Sequence, residues 1–367
     1  MRLRQFRLAS PILAASMILV ACGSPAASEA ADPVTSEAPD PVASEAPDGD
    51  AVAQFYSEND IRIVVPVSPG GSYDIAGRTV AAHLAKYVPG GPRVTLEYQP
   101  GADHVLGANA VYTREPQDGT VLVTFSLDRV IDQAVGRLEG IQFDAAEFQW
   151  LGSLRSSVTA CFARSEGPVS SIEEVEGGAE WIIGTSGGLE ISPLLVDRVL
   201  GTDITQITGY DGMAELVLAV EQGEVDGLCT SVDNAALLGL LERGVVEPLI
   251  VLHDATPQIH AAYEGVPLLF DYPMSDEDLA LYELFVGQRG NFASFAVGPG
   301  VPSERVEALR SAFNEMVMDP DFQDDYASED QVLQYGTGEE VEETIDSILN
   351  ADPAILELGE QLLGGEG

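Results

Sequence analysis

Short β-rich segments alternate with helical segments along most of this 367-residue chain. The first β-rich segment covers residues 61–67, and apolar side chains with helical spacing follow over residues 74–87. The same order returns with a β-rich segment at residues 181–184 and a helical one at residues 192–200. This order predicts an α/β fold with mostly parallel sheets and helices on both faces. We expect two α/β lobes, with the C-terminal helices packing back on the first lobe.

The acidic charge of the chain limits the partners that it can bind. It carries 17 Lys+Arg against 60 Asp+Glu, for a formal net charge of −43. A nucleic-acid backbone needs a basic footprint, so a nucleic acid is excluded as a partner. The same charge argues against binding to anionic lipid through a basic patch.

The N-terminus resembles a bacterial lipoprotein export signal. Three arginines precede an uncharged apolar run over residues 8–21, which is too short to span a bilayer as a helix. The run ends in Leu-Val-Ala before Cys22, so residues 1–21 are predicted to be removed and Cys22 to be lipidated. The alternative is an ordinary signal peptide with a chance cysteine. Residues 22–55 would then be the lipidated cysteine and a disordered acidic linker rich in Ala, Pro, Ser and Glu, so we expect an extracytoplasmic, membrane-anchored protein.

Two further cysteines, Cys161 and Cys229, lie in apolar, strand-like stretches. Disulfides persist in exported proteins, so a bridge between them is one interpretation. The other is two separate buried thiols that act as small hydrophobic side chains. The sequence does not fix the pairing.

Three glycine-rich turns each connect a predicted strand to a predicted helix. The first contains Pro69, Gly70, Gly71, Ser72, Tyr73 and Asp74. The second contains Gly101, Ala102, Asp103 and His104, and the third Thr185, Ser186, Gly187 and Gly188. Glycines leave backbone N–H groups bare, and the helix that follows adds its positive dipole end, which suits a carboxylate. Because ligands of open α/β sheets bind where such turns collect, we expect one ligand held by several turns.

An ordered set of motifs resembles the substrate-binding proteins of tripartite tricarboxylate transporters, the TctC or Bug type. The opening Ile-Arg-Ile-Val-Val-Pro-Val-Ser-Pro-Gly-Gly-Ser-Tyr-Asp covers residues 61–74. The other matching segments are 99–102, 116–120, 209–212, 221–227, 298–302 and 319–322. Together they cover the body from about residue 60 to residue 345 in the order that the family shows.

The resemblance implies a two-lobed periplasmic-binding-protein fold of type II, a Venus flytrap that closes on a small organic carboxylate. Lobe 1 would comprise residues 56–156 and 292–367 and lobe 2 residues 157–291, with the chain crossing near 155–160 and 289–293. The first two turns would hold the carboxylate partly through backbone amides, and the third turn and Tyr210 would add contacts from lobe 2. The loaded protein would deliver its solute to a membrane permease with one large and one small subunit. We expect neither catalysis nor a cofactor, and the four histidines show no metal-binding spacing.

Two acidic residues depart from what an anionic ligand requires. One interpretation is that Asp103 and Glu190 face the ligand. The ligand then carries an amine, or the negative charge of these side chains is offset by His104, Arg78 or a metal. The other interpretation is that both side chains cap the next helices and point away from the ligand. Tyr73 either closes over the ligand or packs on the lobe surface. Arg78 is expected to pair with Asp74 one helical turn earlier.

Two other functions remain as alternatives. Residues 184–188 match Gly-x-Ser-x-Gly, so a serine hydrolase would use Ser186 with Asp226 or Asp233 and His253 or His260. Against it, the motif is short in a glycine-rich chain, and an early His-Gly-Gly oxyanion loop is lacking from the sequence. A sensor's ligand-binding partner would share the fold and the cleft.

Overall fold

The computed structural model describes residues 49–102, 104–137, 140–155, 158–185, 190–210, 212–232, 234–252, 263–287, 293–329, 331 and 333–364. These residues all belong to one compact unit, which covers residues 46–367. The predicted leader, Cys22 and residues 23–48 of the predicted linker lie outside them. Residues 49–55, which were predicted to belong to the disordered linker, lie instead in a helix whose Val52 side chain is buried. None of the helices in the described part is long and apolar enough to cross a membrane.

The elements follow the predicted alternation of strands and helices. The first part of the chain forms α1 (Gly49–Glu58), β1 (Ile61–Val65), α2 (Ser72–His83), β2 (Val94–Tyr98), α3 (Val105–Thr113), β3 (Val121–Phe125), α4 (Asp128–Val135) and β4 (Gln149–Arg155). The middle part forms β5 (Thr159–Arg164), α5 (Ile172–Glu176), β6 (Trp181–Gly184), α6 (Ile191–Leu200), β7 (Ile204–Ile207), α7 (Met213–Gln222), β8 (Gly227–Ser231), α8 (Ala235–Glu242) and β9 (Val246–Val251). The last part forms α9 (Asp276–Phe285), β10 (Ser294–Val297), α10 (Ser303–Val317), α11 (Pro320–Ser328), β11 (Gln334–Thr337), α12 (Gly338–Leu349) and α13 (Pro353–Gly364).

The strands form two sheets, as a two-lobed α/β fold requires. The six-stranded sheet has the order β11-β4-β10-β3-β1-β2, and the five-stranded sheet has the order β7-β6-β8-β5-β9. The chain passes from the first sheet to the second between β4 and β5, and returns between β9 and β10. Residues 156–157 and 288–292, where the crossings were predicted, lie outside the described residues.

Both sheets are mixed, whereas the sequence predicted mostly parallel ones. β1 pairs in parallel with β2 and β3, and β6 pairs in parallel with β7 and β8. The strands that follow a crossing or come from the C-terminal part, β5, β10 and β11, pair antiparallel with their neighbours. Two parallel strands that follow each other in the chain are joined by a βαβ crossover within one sheet. A strand that enters from the other sheet has no such crossover and can therefore pair antiparallel.

A disulfide joins the central strand of the five-stranded sheet, β8, to its neighbour β5. Cys161 on β5 lies directly opposite Cys229 on β8, and their sulfurs are bonded. Both side chains are completely buried. The bond therefore links two antiparallel strands in the interior of the second sheet.

The last helix, α13, contacts helices that belong to both halves of the molecule. It packs against α4, which follows a strand of the first sheet, and against α6, which follows a strand of the second. Gly359 lies where α13 meets α9 and α4, and a β-carbon there would come within 2.9 Å of the Phe285 ring on α9 and 3.7 Å of Val135 on α4. A glycine here lets the three helices approach closely.

Candidate functional site

The structure brings the first and second predicted turns together. Each follows a strand of the first sheet, β1 and β2, and these strands are parallel neighbours in which Val65 lies opposite Tyr98. The third turn follows β6 in the second sheet, beside its parallel neighbour β7. The first two turns therefore collect at the carboxyl edge of the first sheet, and the third turn begins at the carboxyl end of β6 in the second sheet. Ligands of open α/β sheets bind at such edges.

Asp74 fixes the shape of the first turn. Its carboxylate accepts hydrogen bonds from the Gly70 N–H at 2.8 Å, the Arg78 Nε at 3.2 Å and the Tyr98 hydroxyl at 2.6 Å. The predicted pairing of Asp74 with Arg78 is confirmed. The helix cap itself is Gly71, and no side chain caps α2. Asp74 is only 3% exposed and is occupied by these partners, so its contact with a solute stays a prediction.

The protonation states of this network follow from its hydrogen bonds. Burial by itself raises the pKa of Asp74, but the bonds from Tyr98 and Gly70 and the charge of Arg78 outweigh it and hold the pKa below its usual value. The hydrogen bond to Asp74 raises the pKa of the Tyr98 hydroxyl. Asp74 is therefore an anion and Tyr98 a donor across the physiological pH range.

Asp74→Asn is expected to destabilise the protein by about 1–3 kcal/mol at pH 7, because an amide cannot accept from all three donors. The pKa of Asp74 is lower in the folded state than in the unfolded state. Its contribution is therefore present above about pH 4 and is lost as the pH falls through the folded-state value. Urea unfolding of wild type and variant at pH 7 and pH 3 measures this, and the difference should narrow at pH 3. Asp60→Asn, at a half-exposed carboxylate, is the matched control, and an equal loss there would contradict this role for Asp74.

The second turn has an unusual backbone. Gly101, Ala102 and His104 all have positive φ, at 141°, 47° and 73°. Asp103, between them, lies outside the described residues. Positive φ is costly for residues with a β-carbon, and such strain collects at ligand sites. The other described non-glycine residue with positive φ is Ala293, at 48°, which follows the return crossing to the first sheet.

An aromatic contact joins the first two turns. The rings of Tyr73 and His104 meet edge to face, with their centroids 4.6 Å apart and an interplanar angle of 80°. Tyr73 thus packs on His104, and its predicted closure over a solute stays a prediction. The two turns are thus coupled both by this contact and by the hydrogen bond from Tyr98 to Asp74.

The third turn is held from β7 by Gln206. The Gln206 Nε2 donates to Thr185 Oγ1 at 3.0 Å and to the Glu190 carbonyl at 2.8 Å. Ser186, Gly187 and Gly188 lie outside the described residues. Gln206 therefore contacts both Thr185 and Glu190, the described residues on either side of that stretch.

Glu190 does not act as the predicted side-chain cap. It occupies the N-cap position of α6, but its side chain makes no capping hydrogen bond. Instead, its carboxylate lies 3.9 Å from the Arg137 guanidinium, just beyond α4. Arg137 comes from the other half of the molecule. Local sequence cannot predict this contact, because it joins residues that are far apart in the chain.

Tyr210 is engaged within the second half of the molecule. Its hydroxyl donates to Glu224 at 3.1 Å. Burial, followed by this hydrogen bond, raises the pKa of Tyr210. The part predicted for Tyr210 in solute binding stays a prediction.

The sequence analysis missed a buried charge pair beside the first two turns. Arg129 and Asp132, in α4 after β3, have side chains 3% and 4% exposed and lie 3.0 Å apart. β3 is the other parallel neighbour of β1, so α4 begins at the same edge of the sheet. The only sequence signal was an opposite-charge pair three residues apart, which usually marks an exposed helix face.

The residues of the alternative hydrolase are mostly outside the described part. Ser186, Asp233, His253 and His260 lie outside it, and the Asp226 carboxylate lies 3.6 Å from Arg164. Among the described residues, no group of three or more His, Cys, Asp or Glu side chains is placed to hold a metal ion.

Two curated proteins are similar to the chain in sequence, and no protein-family model matches it. A UPF0065 protein of Bordetella pertussis strain Tohama I is 26% identical over 189 residues, which is 48% of this chain and 55% of that protein. A UPF0065 protein of Bordetella bronchiseptica strain RB50 is 23% identical over 278 residues, which is 74% of this chain and 76% of that protein. The chain thus spans about half the length of the first relative.

Solved structures resemble the chain over most of its length. A TctC solute-binding protein from Polaromonas, without ligand, has 19% identity and a TM-score of 0.60 and covers 84% of this chain and 99% of its own. MatC of Rhodopseudomonas palustris, with bound malate, has 18% identity and a TM-score of 0.61 and covers 82% and 99%. A second R. palustris protein, with adipate, has 21% identity and a TM-score of 0.60 and covers 83% and 97%. These comparisons confirm the predicted resemblance: the chain has the two-lobed α/β fold of the TctC and Bug solute-binding proteins.

Proposed function

We propose that this protein is an extracytoplasmic solute-binding lipoprotein that captures a small organic carboxylate between two lobes. It would deliver the solute to the large and small membrane subunits of a tripartite tricarboxylate-type transporter. Lobe 1 would be residues 56–156 and 292–367, and lobe 2 residues 157–291. The similar folds include proteins solved with malate and with adipate, both of them carboxylates.

One observation supports the proposal most strongly, namely the coupled pair of turns on the first sheet. Asp74 holds the Gly70 N–H and the Tyr98 hydroxyl, while Tyr73 packs on His104. Groups of the protein therefore engage the carboxylate of Asp74. No side chain caps the N-terminus of α2 or occupies the N–H groups there. Free amides at a helix N-terminus bind a carboxylate through hydrogen bonds and the helix dipole. The chain as a whole repels anions, so such local donors have to supply the attraction.

A thermal-shift screen of the purified protein tests this function. The panel contains di- and tricarboxylates, aromatic and aliphatic monocarboxylates, amino acids and amines, each in low and high salt. We expect a saturable rise in melting temperature with carboxylates, because a ligand that binds only the folded state stabilises it by mass action. A general ester substrate is included, and turnover that disappears in Ser186→Ala would replace the receptor by a hydrolase.

The lipid anchor is tested by fractionating cells that produce the full chain or its Cys22→Ala variant. We expect the full chain in the membrane fraction and the variant to be released or left unprocessed, because a non-lipidated leader leaves no acyl anchor. Equal membrane association of the two proteins, with the leader removed from both, would contradict the anchor.

A further inference from the structure

A row of charged side chains extends from the first half of the molecule, built on the six-stranded sheet, into the second half, built on the five-stranded sheet. In α4, Arg129 and Asp132 lie 3.0 Å apart. Arg137, just beyond α4, lies 3.8 Å from Asp132 and 3.9 Å from Glu190 at the start of α6. Because α4 follows a strand of the first sheet and α6 a strand of the second, the contact of Arg137 with Glu190 joins the two halves. We call it the cross-half ion pair.

Each partner of the cross-half ion pair is fixed to its own half. The Arg137 N–H donates to the Asp132 carbonyl at 3.0 Å, which ties the backbone of Arg137 to the last turn of α4. α4 in turn packs against α12 of the same half. On the other side, the Glu190 carbonyl accepts a hydrogen bond from the Gln206 side chain of β7 at 2.8 Å. A rotation of one half against the other therefore changes the distance between Arg137 and Glu190, while the contacts within each half stay as they are.

The surroundings of the cross-half ion pair strengthen it. The Arg137 and Glu190 side chains are 31% and 23% exposed, so both are mostly shielded from water. They line a hollow of about 640 Å³ together with Leu194 of α6 and with Leu362 and Leu363 at the end of α13. Apolar neighbours lower the effective dielectric constant, and an ion pair is stronger there than at a fully exposed surface.

Glu190 needs a positive charge at this place. Its Oε2 atom is buried and accepts no hydrogen bond from the residues that the structure describes. A carboxylate oxygen in that position costs free energy unless a cation balances it, and Arg137 supplies the cation. The gap of 3.9 Å is about 1 Å longer than a charge-assisted hydrogen bond. A closer approach of the two halves at this point therefore shortens the contact and strengthens it.

We infer that Arg137 and Glu190 are positioning residues, which hold the two halves in the arrangement that captures a solute and do not contact the solute themselves. The inference rests on the proposed function and adds a determinant of affinity that acts through the arrangement of the halves. A solute that binds between the halves selects the arrangement in which they lie close together. A contact that favours this arrangement raises the apparent affinity for every such solute.

Isothermal titration of the full chain with malate, adipate and phenylacetate tests the inference. Arg137→Gln and Glu190→Gln should each weaken binding by about three- to fivefold, the effect of losing one ion pair. The double variant should lose no more than either single variant, because both substitutions remove the same contact. Arg137→Lys keeps the charge and should retain most of the affinity. In Arg137→Gln the buried Asp132 keeps Arg129 at 3.0 Å, so the substitution leaves no unpaired carboxylate inside the first half.

Arg243→Gln is the matched control for these titrations. It removes the same charge and breaks an ion pair with Glu221 that lies within the second half, so it should bind like wild type. An equal loss of affinity in Arg243→Gln would attribute the effect of Arg137→Gln to net charge and overturn the inference.

The three solutes distinguish positioning from direct contact. Positioning lowers the affinity for malate, adipate and phenylacetate by the same factor. A loss confined to malate and adipate would make Arg137 a ligand of the second carboxylate and overturn the inference. Losses that multiply in the double variant would overturn it as well. Failure of every carboxylate in the thermal-shift panel overturns the proposed function, and the arrangement of the halves is then tested without a solute.

Distances between spin labels on the two halves provide that test. Labels are attached at Met318→Cys, at the end of α10, and at Leu218→Cys, on α7, in a chain that also carries Cys22→Ala; the two labelled positions are 58% and 50% exposed. The unliganded chain should give a narrow distance distribution. Arg137→Gln should broaden it, because the halves lose a contact that restrains their rotation, and Arg243→Gln should not. An unchanged distribution in Arg137→Gln would show that the cross-half ion pair does not hold the halves.

Discussion

Replacing Gly71 by leucine should abolish solute binding and leave the fold intact. Gly71 caps α2 with an ordinary φ of −100°, and a β-carbon there meets no atom within 4 Å. The added side chain therefore occupies open space beside the N-terminus of α2, without strain in the protein. We expect a loss of at least about 100-fold in affinity for the best solute of the panel, because steric exclusion removes both the amide contacts and the closed lobe arrangement.

Gly239→Leu is the matched control for that experiment. Gly239 lies in α8, also has no atom within 4 Å of a β-carbon position, and is not in a positive-φ conformation. Its replacement should leave affinity unchanged and should slightly favour the helix. Wild-type affinity in Gly71→Leu, with an unchanged melting temperature, would place the solute away from the first turn.

Reduction of the Cys161–Cys229 bond should produce the largest change in stability. The bond closes a loop with a sequence separation of 68 residues. The chain-entropy relation gives a loss of roughly 4 kcal/mol in the free energy of unfolding for a loop of that size. Urea unfolding with and without dithiothreitol measures it on one and the same chain.

The double variant Cys161→Ala, Cys229→Ala is the control for reductant effects. It should unfold at lower urea than the oxidised wild type and should not respond to dithiothreitol. A thiol assay on the denatured, unreduced protein should detect neither Cys161 nor Cys229 as a free thiol. Detection of both would replace the bridge with two buried thiols, the other interpretation of the sequence.

Local sequence patterns predicted the elements but not the pairing of the strands. β1, α2 and β2 follow from apolar spacing and from glycines and prolines within a few residues. The insertion of β10 between β3 and β4 joins residues that are far apart in sequence, which local propensity does not encode. The antiparallel part of each sheet was therefore missed.

In the candidate site, too, local sequence patterns predicted the turns but not the contacts between distant residues. Glycines marked the three turns, because they signal tight backbone geometry wherever they occur. The occupation of Asp74 by Tyr98 depends on the register of β1 and β2, and the approach of Arg137 to Glu190 depends on how α4 and α6 are placed. Of the two uses predicted for Glu190, a side-chain cap of α6 is absent, and the carboxylate lies 3.9 Å from the Arg137 guanidinium instead.

The order of strands in the two sheets also sets the order in which the halves can be completed as the chain emerges during synthesis. Every strand of the five-stranded sheet lies within residues 159–251, so this half has all its strands once that stretch has emerged. The six-stranded sheet starts earlier in the chain but lacks β10 and β11 until residue 337 has appeared. Its first three strands must wait, with their β10-facing edge unpaired, while the later half assembles. The half that begins first along the chain is thus the last to finish. The glycine-rich turns of the first sheet acquire their full support only when all but the C-terminal helices have emerged.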